Sequence, residues 1–119
     1  MKYLRLKDYK QKENIYYLWN NEYGKIYPIS KELFERNLLN ASLEYSYVVT
    51  KDDNLIGFII CKVWNEDFYI NTYDENCWIS LFYVNRLNRR NGIGTKLLDL
   101  VELNLKKLGK KIFILVRII

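Results

Sequence analysis

Apolar residues recur along the chain in two rhythms, and turn-forming residues stand where the rhythm changes. Tyr3, Leu4 and Leu6 suit a short first strand. Asp8 followed by Gln11 resembles a capping box, opening a helix that turns Ile15, Leu18 and Trp19 inward and ends near Gly24. Pro28 and Ser30 start a second helix, with Ser30 as N-cap, Glu32 in the first turn and Leu33, Phe34 and Leu38 at helical spacing. Tyr45–Thr50 reads as a strand, and the turn cluster Lys51-Asp52-Asp53-Asn54 joins it to Leu55–Trp64. The run LIGFIICKVW has almost no polar face, so both sides of that strand are expected to be covered. Asn65–Cys77 has no clear period and reads as a loop.

Trp78–Val84 (WISLFYV) is a second nearly unbroken apolar strand. A helix is expected from about Thr95 to Leu108, with Leu97, Leu98, Val101, Leu105 and Leu108 on one face and Gly109 as its stop. Lys111–Ile119 (KIFILVRII) reads as a further buried strand. The order is β-α-α-β-β-β-α-β without repeat or linker, an α/β layout in a single domain over residues 1–119.

Composition narrows the chemistry. Of 119 residues none is histidine, which removes imidazole-activated nucleophiles and most zinc sites; no metal centre is expected. A hydrophobic share of 50%, with 16% aromatic, suffices for a packed core. Cys61 and Cys77 form no CxxC pair and read as reduced core thiols. The start MKYLRLKDYK lacks the apolar centre of a signal peptide, and no apolar run approaches the roughly 20 residues of a membrane helix. The expectation is a soluble cytoplasmic protein with no membrane partner.

Charge is unevenly placed. From Arg86 onward nine basic residues face two acidic ones, giving +7, whereas residues 1–85 carry ten basic and twelve acidic side chains, giving −2. A basic end suggests an anionic ligand, although Lys106, Lys107, Lys110 and Lys111 read more simply as a solvated helix face. A nucleic-acid partner is not expected, because no recognised motif is present and the basic residues gather at one glycine turn and one helix end.

That glycine turn is the informative segment. A strand, an Arg- and Gly-rich turn and a helix N-terminus make an anion site, because the unpaired amides of the first turn and the positive end of the helix dipole converge there. A dinucleotide fingerprint would need Gly or Ala at position 97, which is Leu97, and a P-loop would need Gly at position 89, which is Arg89.

Arg89-Arg90-Asn91-Gly92-Ile93-Gly94, preceded by Leu81-Phe82-Tyr83-Val84 and followed by Thr95-Lys96-Leu97-Leu98, resembles the acyl-CoA binding motif Q/R-x-x-G-x-G/A of the GCN5-related N-acetyltransferase (GNAT) superfamily. Leu18-Trp19-Asn20-Asn21-Glu22-Tyr23-Gly24 and Ile56-Gly57-Phe58 look like corresponding regions of bacterial members, and the likeness extends over residues 1–117.

The resemblance implies an acyl-CoA N-acyltransferase fold, a mixed central sheet flanked by helices and lacking the last helix and strands. It implies acetyl-CoA as co-substrate and a primary amine, on a small molecule or a protein, as acceptor. The pantetheine arm would pair with the backbone of Phe82, Tyr83 and Val84, and the pyrophosphate would sit on Arg89, Arg90, Asn91, Gly92, Ile93, Gly94 and Thr95. An amide near Phe82–Val84 would stabilise the oxyanion that develops on the thioester carbonyl.

The pattern departs from the family where the chemistry should be. The strand Trp78–Val84 carries Ser80 and no acid, and the family's later Tyr acid has no counterpart, which leaves Glu22 and the acids of the 65–77 loop (Glu66, Asp67, Asp74 and Glu75) as weak candidate bases. Tyr23, Tyr27 and Trp64 are candidates for an acceptor pocket. The expectation is a shortened or partial acetyltransferase that self-associates through its last strand; the alternative is a non-catalytic CoA-binding or dimerisation module.

Overall fold

The computed structural model describes residues 1–64 and 76–107. Within them four strands, β1 (Lys2–Arg5), β2 (Tyr47–Lys51), β3 (Asn54–Trp64) and β4 (Asn76–Val84), form one antiparallel sheet in the order β1-β2-β3-β4. The helices are α1 (Glu13–Tyr23), α2 (Lys31–Leu39) and α3 (Ile93–Lys107). The expected strand over 111–119, which would make the sheet mixed, lies outside the described residues, as do Leu108, Gly109 and the segment 65–75.

The sheet has a core on each face. On one, α3 lays Ile93, Leu97, Val101 and Leu105 over Tyr47, Val49, Ile59, Cys61 and Ile79. On the other, Ile15 and Trp19 of α1 and Phe34 of α2 pack on Leu6, Val48, Phe58, Ile60 and Tyr83. Both faces of β3 are therefore covered, as its unbroken apolar run implies.

Two irregularities set which way β4 points. The β2–β3 register slips at Val49/Thr50, leaving Ile56 as the extra residue, and the β3–β4 register slips at Ile60/Cys61, leaving Ser80 extra. A bulge residue shifts the alternation by one. Before Ser80, the odd-numbered Cys77 and Ile79 face α3. After it, Val84 faces α3 while Leu81 and Tyr83 turn to α1 and α2.

Local starts and stops match the sequence in part. Ser30 caps α2, its Oγ accepting from Leu33 N–H at 3.1 Å. Asp52 and Asp53 take φ of +52° and +64° between the paired Lys51 and Asn54, the two-residue turn that suits a twisted hairpin. Asp8 does not cap α1: it ends a 3-10 turn, Leu6–Asp8, and Lys12 occupies the N-cap without a side-chain bond. Burial of Leu6 and Tyr9 decides this stretch, with Leu6 N–H donating to the Ser46 carbonyl at 2.8 Å. Cys77 belongs to β4 rather than to a loop, and α3 starts two residues before Thr95 because buried Ile93 anchors its first turn.

Candidate functional site

β4 ends by handing its chain to α3 through a short, fixed turn. Asn85 N–H donates to the Ile56 carbonyl at 2.7 Å, tying the strand end to the β3 bulge, and a 3-10 turn, Arg86–Asn88, follows. Arg90 and Gly92 then adopt left-handed φ of +70° and +74°. The first helical bond is Lys96 N–H to the Gly92 carbonyl, 2.9 Å, so the amides of Ile93, Gly94 and Thr95 have no carbonyl of their own helix to meet.

These amides border a cleft of about 480 Å3 walled by Tyr23, Phe82, Tyr83 and Val84 and floored by Arg89, Arg90 and Gly92–Thr95. A Cβ at Gly92 would meet nothing within 4 Å, and one at Gly94 would lie 3.5 Å from the Phe82 ring. The backbone is thus open toward the cleft at Gly92 and packed beneath it at Gly94. This is a concavity with backbone donors at its edge and a favourable helix dipole, a setting suited to an anion.

A carboxylate from α1 braces the turn. Glu22, its side chain 11% exposed, accepts from Arg86 Nε at 2.8 Å and from Arg89 Nη2 at 2.9 and 3.1 Å. Tyr83 hydrogen-bonds the same carboxylate. Burial pushes the Glu22 carboxyl up, but the bonds from Tyr83 and Arg86 and the charges of Arg89 and Arg86 outweigh it and hold the group below its ordinary value. The Tyr83 hydroxyl moves the other way, raised by burial and by the Glu22 carboxylate it faces. A carboxylate held in its charged form by two guanidiniums is a poor proton acceptor, so the geometry gives Glu22 little capacity as a base.

The two arginines of the motif differ. Arg89 is engaged on three sides: by Glu22, by the Val84 carbonyl, to which its Nε donates at 2.8 Å, and by the Tyr83 ring 5.5 Å away. Arg90 is exposed and has no hydrogen-bond or ion-pair partner among the described residues.

A second groove, of about 560 Å3, runs along the α1–α2 side of β4, lined chiefly by Trp19, Ile26, Tyr27, Leu33, Trp78 and Leu81. Lys62, its Nζ 5.6 Å from the Trp78 ring centre, is the one charged residue among the described residues lining it. Ser80, the bulge residue, belongs to this groove, and Phe82, two residues on, belongs to the cleft.

Of the sequence candidates, Phe82, Tyr83, Val84, Arg89, Arg90, Gly92, Ile93, Gly94 and Thr95 come together around the cleft. Asn91 lies in the turn, exposed, and is not one of the residues lining it. Tyr23 lines the cleft, Tyr27 lines the groove, and the Trp64 side chain lies outside what is described. Cys61 and Cys77 are buried beside each other on the α3 face and line neither concavity. Arg86 and the tie between Glu22 and Tyr83 escaped sequence reasoning. Only the excess of charge after residue 85 hinted at Arg86, since nothing local links positions 22 and 86. No group of three His, Cys, Asp or Glu suited to a metal occurs among the described residues, and none of their helices is long and apolar enough to cross a membrane.

The model of the acetyltransferase (GNAT) family matches residues 12–117. No curated protein matches the chain. Among solved structures, an aminoglycoside acetyltransferase from an uncultured soil metagenomic sample, in complex with trehalose, superposes with a TM-score of 0.71 at 18% identity, over 98% of this chain and 76% of that one. The ribosomal-protein-alanine N-acetyltransferase of Brucella melitensis biovar Abortus 2308 gives 0.68 at 20% identity, over 98% and 79%. A chain of the NatC complex bound to Gag peptide and CoA gives 0.68 at 21% identity, over 95% and 70%. At such identities the likeness is one of fold, that of the acyl-CoA N-acyltransferases.

Proposed function

The chain belongs to the acetyltransferase (GNAT) family, and from that premise we propose that it moves the acetyl group of acetyl-CoA onto a primary amine of an acceptor bound in the α1–α2 groove. One observation carries the reading: the first amides of α3, on Ile93, Gly94 and Thr95, the open backbone at Gly92 and the guanidinium of Arg90, which has no partner among the described residues, converge on one cleft at the end of β4. Backbone donors at a helix start suit the two phosphates of a pyrophosphate, and Arg90 supplies a fork for their oxygens.

Acetyl-CoA brings the activated acetyl thioester; the protein's part is to hold and orient. The cleft and the groove meet along β4, so a donor on Phe82–Val84 and an acceptor beside Ser80 and Leu81 lie on one strand. β4 pairs only with β3 among the described residues, so its alternate amides point away from the ladder and can donate to charge developing on a carbonyl oxygen. Amine attack needs the neutral amine. The cation at Lys62 disfavours an ammonium beside it, which supports direct attack: the amine nitrogen bonds the acetyl carbon, the C–S bond breaks, and the proton shed by the nitrogen ends on the departing sulfur, giving the amide and CoA thiol.

Titration calorimetry with acetyl-CoA tests the donor half: the parent binds, and Arg90→Ala weakens binding by about tenfold, the effect of one charge-assisted contact of ~1.4 kcal/mol. An unaltered Arg90→Ala overturns the assignment of the site. A thiol-release assay across an amine panel tests the transfer. Binding without release on any amine would favour the CoA-binding module instead.

A further inference from the structure

Glu22 reaches the loop from another element, and what it grips there bears on the loop's conformation. Its carboxylate holds Arg86 at 2.8 Å and Arg89 at 2.9 and 3.1 Å. Arg89 is fastened a second time, through Nε to the Val84 carbonyl at 2.8 Å. The very next residue, Arg90, sits at φ +70°, a region that residues other than glycine rarely occupy and that persists only where the surroundings over-determine it. Arg89, anchored at both ends of its guanidinium, is the neighbour placed to impose it.

We propose that Glu22 is a positioning residue of the CoA site: it fixes Arg89 as an internal strut, and the strut holds Arg90 and Gly92 left-handed so that the amides of Ile93–Thr95 face the pyrophosphate. The inference rests on the reading that this loop holds the pyrophosphate. Arg89 and Arg90 then have separate tasks, the first bracing the loop and the second touching phosphate. Loss of the carboxylate also frees positive charge near the site, which opposes the loss of order. Arg86 is 77% exposed and Arg89 41%, so solvent screens that gain and the ordering dominates.

The test is acetyl-CoA binding by calorimetry for the parent, Glu22→Gln, Arg89→Gln, Arg90→Ala and the doubles, with folding checked by circular dichroism. Glu22→Gln is expected to bind about tenfold more weakly, and Glu22→Gln/Arg89→Gln no more weakly than Arg89→Gln alone, because the two act as one unit. Glu22→Gln/Arg90→Ala is expected to bind more weakly than either single variant but by less than the product of the two losses, since the strut also sets the backbone of Arg90. With an accepted amine, KM for acetyl-CoA rises while kcat at saturation holds. A Glu22→Gln that binds as tightly as the parent or tighter, or losses that multiply with Arg89→Gln, overturns the proposal. Should Glu22→Gln fail to fold, Arg89→Lys decides. It keeps the charge but offers one nitrogen on a flexible stem in place of the rigid fork whose Nε and Nη2 hold Val84 and Glu22, so about tenfold weaker binding supports the strut and parent-like binding overturns it. A parent that binds no CoA removes the site reading itself, and the strut with it.

Discussion

Arg90 and Gly92 share a left-handed backbone two residues apart, and substitution at the two should move stability in opposite directions. Gly92→Ala adds a Cβ into open space, yet the left-handed φ costs about 1 to 2 kcal/mol, read as a lower thermal midpoint. Arg90→Gly relieves strain but adds freedom to the unfolded chain, leaving a net gain of about 0.5 kcal/mol while CoA binding falls. Such a trade is common where a strained loop does the binding.

At the same scale, Glu22 makes stability depend on pH. Its carboxyl is held below the ordinary 4.5, so its contribution is complete above that value and drains as pH falls through the native one. Tyr83, raised above 10.0, contributes fully below 10.0 and loses its contribution as pH climbs beyond it. The gap in thermal midpoint between the parent and Glu22→Gln should therefore be widest near neutrality and narrow as the pH falls below 4.5. The sequence showed Arg89, Arg90 and the glycines because their spacing is local. The grip of Glu22 on Arg89 spans 67 positions, and only the folded chain brings them together.

Among elements, the bulge at Ser80 decides which side chains reach the site. Deleting Ser80 would let β3 and β4 pair without a slip, and each neighbour would keep its present face: Cys77 and Ile79 toward α3, Leu81 and Tyr83 toward α1 and α2. The expected outcome is a folded deletion variant, by circular dichroism and a cooperative melt, that has lost acetyl transfer because the strand edge beside the groove has changed. An unfolded variant, or one with parent turnover, would contradict it. On the opposite layer, Leu97→Ala empties a fully buried site and should cost about 2 to 5 kcal/mol in denaturant melts.

Some element boundaries were legible and some were not. Ser30 announced the start of α2 because a cap is a local bond. The bulges left no trace, since an unbroken apolar run has no alternation in which a slip would show. Asp8 misled because the burial of Leu6 and Tyr9 outweighed an available cap.

For the molecule as a whole, the charge divide follows the architecture. Arg89 and Arg90 line the cleft and Arg86 is tied to Arg89 through Glu22, whereas Lys106 and Lys107 close the far end of the 15-residue α3. A helix of that length is about 22 Å long, beyond two Debye lengths at physiological salt, so only the first group is near enough to matter for CoA. Neutralising both lysines (Lys106→Gln/Lys107→Gln) should leave CoA affinity unchanged, whereas added salt should weaken it through the arginines; calorimetry across a salt series separates the two. The fold class was readable from element order together with one motif, each insufficient alone. The acceptor was not, because the groove is assembled from α1, the connection to α2, α2 itself, β3 and β4, five stretches with no shared signature.

The tie between Glu22 and Arg89 also has a bearing on how the chain acquires its shape. Contacts so distant in sequence carry the entropy of closing a long loop, so the cleft is complete only in the folded chain. Nucleotide then recognises only the finished protein, and mass action stabilises that state against partly folded ones. CoA should therefore raise refolding yields of a marginal variant such as Leu97→Ala, serving as a chaperone for its own enzyme.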